Sequence, residues 1–120
     1  MASIQKTLDE LLRLDGALCA MLVDYTTGMV MGQSGNADDL ELIAAGNTEV
    51  VRAKMNVMQA LGTHDVIEDI LITLGSQYHI LAPSSRHTGL FLYLLLDRQR
   101  SNLALARRWV HDADKGLMLN

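Results

Sequence analysis

The sequence predicts an α+β fold, with five strands in one antiparallel sheet and the element order α-β-β-α-β-β-β-α. Three observations carry this. Two apolar runs, residues 17–24 and 90–96, have strand length and end in turn residues, as strands buried on both faces do. Tight turns join most of the strands, and only antiparallel neighbours can use them. One long stretch, residues 37–62, keeps helical spacing instead.

The elements follow in order. Residues 3–14 form an amphipathic helix, with Ile4, Leu8, Leu11 and Leu12 on one face. Ser3 is its N-cap, because a hydroxyl there accepts from an orphan amide. Asp15-Gly16 ends it, with Gly16 in the left-handed conformation. Residues 17–24 are a strand. Asp24-Tyr25-Thr26-Thr27-Gly28 is turn chemistry, and Met29-Val30-Met31-Gly32-Gln33 returns as the second arm of a hairpin.

Residues 37–62 are the long helix. Asp38, Asp39 and Glu41 crowd its start, where the helix dipole favours anions. Leu40, Ile43, Val50, Val57 and Leu61 keep helical spacing, while Ala44, Ala45, Val51, Met55 and Met58 spread apolar surface beyond that stripe. A helix apolar over most of its circumference needs two partners. One is its own sheet, and a second molecule would serve as the other. Gly46 costs about 1 kcal/mol relative to Ala in mid-helix. Either it is simply tolerated, or its missing side chain lets another backbone approach.

Gly62 ends the long helix. Residues 66–74 alternate loosely, with Val66, Ile70, Ile72 and Leu74 in phase. Glu68 shares that phase and breaks the pattern, and Asp69, Leu71 and Thr73 fall on the other face. Acidic residues here mark an edge strand, where charge discourages uncontrolled pairing. Gly75-Ser76 turns into a strand at 78–82, stopped by Pro83. A polar loop, 84–89, leads to the run at 90–96, which is apolar on both faces and therefore central. The last helix runs from about Ser101 or Asn102 to about Leu117, with Leu103, Ala106, Val110, Ala113 and Leu117 as its seam.

Composition bounds the function. The 120 residues suit one domain spanning 1–120. Apolar residues make up 49%, enough to build a core rather than remain disordered. The net charge of −4 lacks the basic footprint of a nucleic-acid binder, and 4% aromatics leave few platforms for base stacking. The single cysteine, Cys19, lies in an apolar strand and reads as a buried free thiol. The start of the chain lacks a signal-peptide pattern, and no apolar run reaches the roughly 18 residues that span a bilayer. A cytoplasmic location is expected.

A search for chemistry returns little. No phosphate loop with Lys-Ser/Thr and no G-x-G-x-x-G after a strand is present. No cysteine pair starts a zinc site, and His64, His79, His87 and His111 lie in four different elements. Ser84, Ser85 and His87 share a loop, but a catalytic serine also needs an oriented base and an oxyanion hole. Arg98, Arg100, Arg107 and Arg108 form a basic cluster that reads as a solvated face or a site for an acidic neighbour. No catalytic residue, cofactor or metal ligand is expected.

The ordered set resembles the roadblock family: roadblock-type dynein light chains and their prokaryotic relatives that pair with Ras-like GTPases. The resemblance rests on Leu8-Asp9-Glu10-Leu11-Leu12 with Asp15-Gly16-Ala17, on the hairpin Leu22 to Val30, on the long helix, on three strands ending in Leu94-Leu95-Leu96-Asp97, and on Ser101 to Arg107 opening the last helix. It implies a profilin-like sheet with the long helix on one face and the terminal helices on the other. It also implies a homodimer, with long helices packed together and the following edge strands paired across the two-fold. Members act as scaffolds or regulators of small GTPases or motors, and some bacterial relatives stimulate GTP hydrolysis by reshaping the GTPase. No catalytic residue carries over. The expected function is a non-catalytic homodimeric module that binds and regulates a small Ras-like GTPase. The alternative is a GTPase-independent scaffold subunit of a motor or signalling complex. Candidate interface residues are Ile43, Gly46, Asn47, Val50, Val51, Met55, Met58, Glu68, Asp69 and Leu71.

Overall fold

A computed structural model describes residues 2–119. The elements are α1 (Ile4–Leu11), β1 (Ala17–Asp24), β2 (Met29–Gly35), α2 (Leu40–Ala60), β3 (Ile70–Thr73), β4 (Gln77–Pro83), β5 (Leu90–Asp97) and α3 (Leu103–Gly116), with a 3₁₀ turn over Arg98–Arg100. The five strands form one antiparallel sheet in the order β2-β1-β5-β4-β3. The expected element order is the one found.

β5 sits at the centre because it is apolar at every position from Leu90 to Leu96, and each of those residues is buried. Its alternation feeds two cores. Leu92, Leu94 and Leu96 join Leu8, Leu11, Leu22, Val110 and Leu117 beneath α1 and α3. Phe91, Tyr93 and Leu95 join Met21, Val23, Ala44 and Val51 beneath α2. Helix α2 therefore covers one face of the sheet, and the two terminal helices cover the other.

The boundaries differ from expectation where tertiary contacts outweigh local pattern. Ser3 does cap α1, accepting from Lys6 N at 3.2 Å, but the helix stops at Leu11 and not at residue 14. A turn then carries Leu14 into the core. Gly16 follows at φ +83°, where a side chain is strained and a Cβ would lie 2.2 Å from Ser101 Oγ. Gly32 is needed for a different reason: a Cβ there would lie 2.6 Å from Ile4 Cγ2, so its absence lets α1 settle on β2. Helix α2 begins at Leu40, three residues later than expected, because Asp39 turns to φ +53° and caps Leu42 N at 3.3 Å.

The strand expected at 66–74 is shorter. Only Ile70–Thr73 joins the ladder, with Ile70 opposite Leu81. Continuing that register would set residue 68 against Pro83, which has no N–H to donate. The chain over 61–69 instead runs irregularly from the end of α2 to the sheet edge, and Val66 stands exposed.

Candidate interaction site

Helix α2 has two apolar faces. Ala44, Thr48 and Val51 are buried against the sheet, with Leu40, Ile43 and Met55 packed beside them. The opposite stripe carries Leu42, Val50, Val57 and Leu61, which are 67, 39, 50 and 76% exposed. With about 100° between successive residues, Gly46 and Ala53 fall on this same outer stripe. A Cβ on Gly46 would meet nothing within 4 Å. No neighbour in this chain requires that glycine, and the helix is flat and open there. Three polar residues flank the stripe, Glu49 and Asn56 on one side and Lys54 on the other.

The ten interface candidates divide into three groups. Gly46, Val50, Glu68 and Leu71 are exposed, the first two on the outer stripe and the others beside and on β3. Ile43, Asn47, Met55 and Met58 are half-buried at the flanks of α2. Val51 and Asp69 turn inward. Val51 is fully buried in this chain's own core, and the Asp69 side chain is only 4% exposed. Leu42, Val57 and Leu61 were absent from the candidates, although they are the most open apolar residues of the helix. The signal that finds them is their spacing with Gly46 and Ala53, once Ala44, Thr48 and Val51 are assigned to the sheet side.

Strand β3 lies at one end of the sheet, paired on one side only with β4. The segment leading into it is pinned from the opposite face. Arg107 on α3 donates from Nε to Asp69 Oδ2 at 3.1 Å and from Nη2 to Oδ1 at 3.2 Å, and His111 Nε2 lies 2.9 Å from Oδ2. Thus Arg107, expected as part of a basic cluster, is committed within the chain. Arg98 is also engaged, donating to Leu74 O at 3.0 Å and lying 5.5 Å from the Tyr78 ring centroid.

The loop with Ser84, Ser85 and His87 is structural. Asp114 of α3 accepts from Ser84 Oγ at 2.5 Å, from Ser85 N at 2.9 Å and from Ser85 Oγ at 2.8 Å. His87 Nε2 lies 3.0 Å from Leu117 O and is not the base of Ser84. This arrangement clamps the β4–β5 loop onto the end of α3.

Beneath the first half of α2, a groove of about 730 Å³ has polar side chains in its lining at Gln77, His79 and Tyr93. His79 Nε2 lies 3.1 Å from Gln77 Oε1, and its ring meets Tyr93 edge-on at 5.8 Å. Burial holds His79 below the usual histidine range. Burial, with a smaller contribution from Cys19, pushes Tyr93 up to about 12, while a hydrogen bond with Asn47 acts the other way. Burial also raises the Cys19 thiol, as expected of an inert core cysteine. Among the described residues, no group of three or more His, Cys, Asp or Glu side chains is placed to hold a metal ion. No helix among them is long and apolar enough to cross a membrane.

This architecture is the roadblock fold. The chain superimposes on a Roadblock/LC7 domain from Streptomyces avermitilis with a TM-score of 0.80 at 16% identity, covering 95% of this chain and 93% of that one. It matches MglB of Myxococcus xanthus with a TM-score of 0.81 at 17% identity, over 93% and 89% of the two chains. A third structure, MglB with a tetrameric arrangement, matches with a TM-score of 0.79 at 18% identity, over 92% and 81%. No family model matches the sequence, and no curated protein matches it either.

Proposed function

We propose that this protein is a non-catalytic, homodimeric interaction module of the cytoplasm that binds and regulates a small Ras-like GTPase. The observation that carries the reading is the apolar outer stripe of α2, open from Leu42 to Leu61 beside the free edge of β3. An amphipathic helix has no reason to keep such a stripe unless something covers it. A second copy is the natural cover, since a two-fold axis would set the same stripe and the same edge strand of two copies against each other. The roadblock fold supports this, as does the tetrameric arrangement of one matched MglB. The GTPase rests on the resemblance to regulators of Ras-like GTPases and on the likeness of fold to MglB. Gly46 and Ala53 would then let the two helices approach closely. Glu68, Leu71 and the half-buried Ile43, Asn47, Met55 and Met58 would border that contact.

Sedimentation of the purified protein at micromolar concentration tests the dimer, and a monomer would end that part of the reading. Affinity capture from native lysate, with GDP and with a non-hydrolysable GTP analogue in parallel, tests the partner. A small GTPase retained in one nucleotide state is the expected result. Partners indifferent to nucleotide would assign the protein to a scaffold role instead.

A further inference from the structure

The outer stripe of α2 has an internal symmetry. Its six positions fall in pairs equally far from a point between Val51 and Arg52: Leu42 with Leu61, Gly46 with Val57, and Val50 with Ala53. All six residues are exposed. In two of the pairs a small residue answers a branched one. Gly46 weakens the helix it sits in, and a Cβ there would meet nothing within 4 Å, so no neighbour in its own chain accounts for the glycine.

A two-fold axis can bring two such stripes together in two ways. With the helices parallel, each residue meets its own copy. Glycine then faces glycine and alanine faces alanine, which leaves voids, while Val50 and Val57 each face valine and hold the helices apart. With the helices antiparallel and the axis between Val51 and Arg52, each residue meets the other member of its pair. Val57 then sits over the partner's Gly46, and Val50 against the partner's Ala53, so large fills small along the seam. The rows Leu42-Gly46-Val50 and Ala53-Val57-Leu61 both step by four residues, and rows of that kind interlock when helices cross at roughly −50°.

Charge selects the same arrangement. Glu49 and Lys54 flank the stripe on opposite sides and are also equally far from that point. The antiparallel register sets Glu49 level with the partner's Lys54, whereas the parallel one sets each charge level with its own kind. We infer that the stripe of α2 is occupied by the α2 of a second copy, antiparallel and centred between Val51 and Arg52, with Gly46 as the socket for the partner's Val57. This register rests on the homodimer proposed above and fixes what that reading leaves open: the direction of the two helices, their crossing point and the reason for the glycine.

Sedimentation of the full chain, from nanomolar to micromolar concentration, tests it. Gly46→Val fills the socket and keeps the fold, because the site is open within the chain; circular dichroism verifies this. The expected result is a dimer dissociation constant raised about 100-fold, since two sockets are overpacked at once. Adding Val57→Ala trims the facing side chain and brings the constant back to within about tenfold of wild type. Glu49→Lys weakens the dimer by a smaller factor that added salt reduces, and Lys54→Glu in the same chain restores it. A wild-type monomer overturns the register and the homodimer together. A dimer indifferent to Gly46→Val, a defect that Val57→Ala does not rescue, or a Glu49→Lys defect that Lys54→Glu deepens overturns the register and leaves the homodimer standing.

Discussion

The Asp69 carboxylate lies 2.9 Å from His111 Nε2, so a residue at the sheet's edge is fastened to a helix on the face opposite α2. The chain leaves α2 on one face, rounds the edge, and is held from the other face before β3 begins. That fastening fixes where the four-residue β3 starts, because nothing in the irregular 61–69 stretch supplies ladder bonds.

Replacing Asp69 with Asn removes the charge that Arg107 and His111 share. Hydrogen bonds to charged groups contribute about 1.5–3 kcal/mol, and a loss of that order is expected in urea unfolding. Amide exchange should quicken first over residues 63–73. Uniform exchange across the whole chain would show that the fastening is not local.

Charge on the two faces of α2 should have opposite consequences. Val57→Glu and Leu61→Glu place a carboxylate on the open stripe, so the fold survives with stability changed by only about 0.5 kcal/mol, while sedimentation shows a monomer. Val51→Glu puts an unpaired charge into a fully buried position and should prevent folding. Dimers that persist in Val57→Glu and Leu61→Glu would mean that the open stripe is not where copies meet.

Asp114→Ala strands the Ser84 hydroxyl and the Ser85 amide, which it now satisfies. A cost of about 2–4 kcal/mol is expected from losing these bonds and the charge they share. The urea midpoint reads it. A smaller loss with Ser85→Ala, which keeps the amide bond, would complete the assignment.

His79 should make stability depend on pH. Its folded-state pKa lies below the ordinary 6.5, because burial disfavours the charged ring. Between that depressed value and 6.5 the unfolded chain binds more protons than the folded one. Stability is therefore full above pH 6.5 and falls as the pH drops toward the folded value. His79→Phe should flatten that slope, as followed by thermal unfolding between pH 5 and 8.

Much of the architecture is written in local pattern. The apolar run at Leu90–Leu96 announces the central strand, and the two-sided spacing of residues 40–61 announces a helix that its own sheet cannot cover. Ser3 and Asn102 cap helices because capping is a contact of three residues' reach. Asp114 was not legible. It occupies a buried position on α3 between Ala113 and Leu117, where periodicity alone asks for an apolar residue, and its partners lie about thirty positions away. Asp69 was hidden for the same reason, since its partners are 38 and 42 residues distant. The outer stripe of α2 was visible as excess apolar surface. Its membership became definite only when the structure showed which residues face the sheet.

The order β2-β1-β5-β4-β3 also sets a timetable. β1 meets β5 in the middle of the sheet, with Ala17 beside Leu96. Until the ribosome has released residue 97, the hairpin β1–β2 and the later strands have no shared seam, and both cores lack their floor. A nascent chain holding α1 through α2 would expose Met21, Val23 and the inner face of α2 together. Long-range pairing of this kind slows folding and leaves apolar surface open while it waits. The same apolar wealth that leaves α2 an open stripe in the finished protein thus leaves the unfinished chain with surface of the kind that chaperones shield.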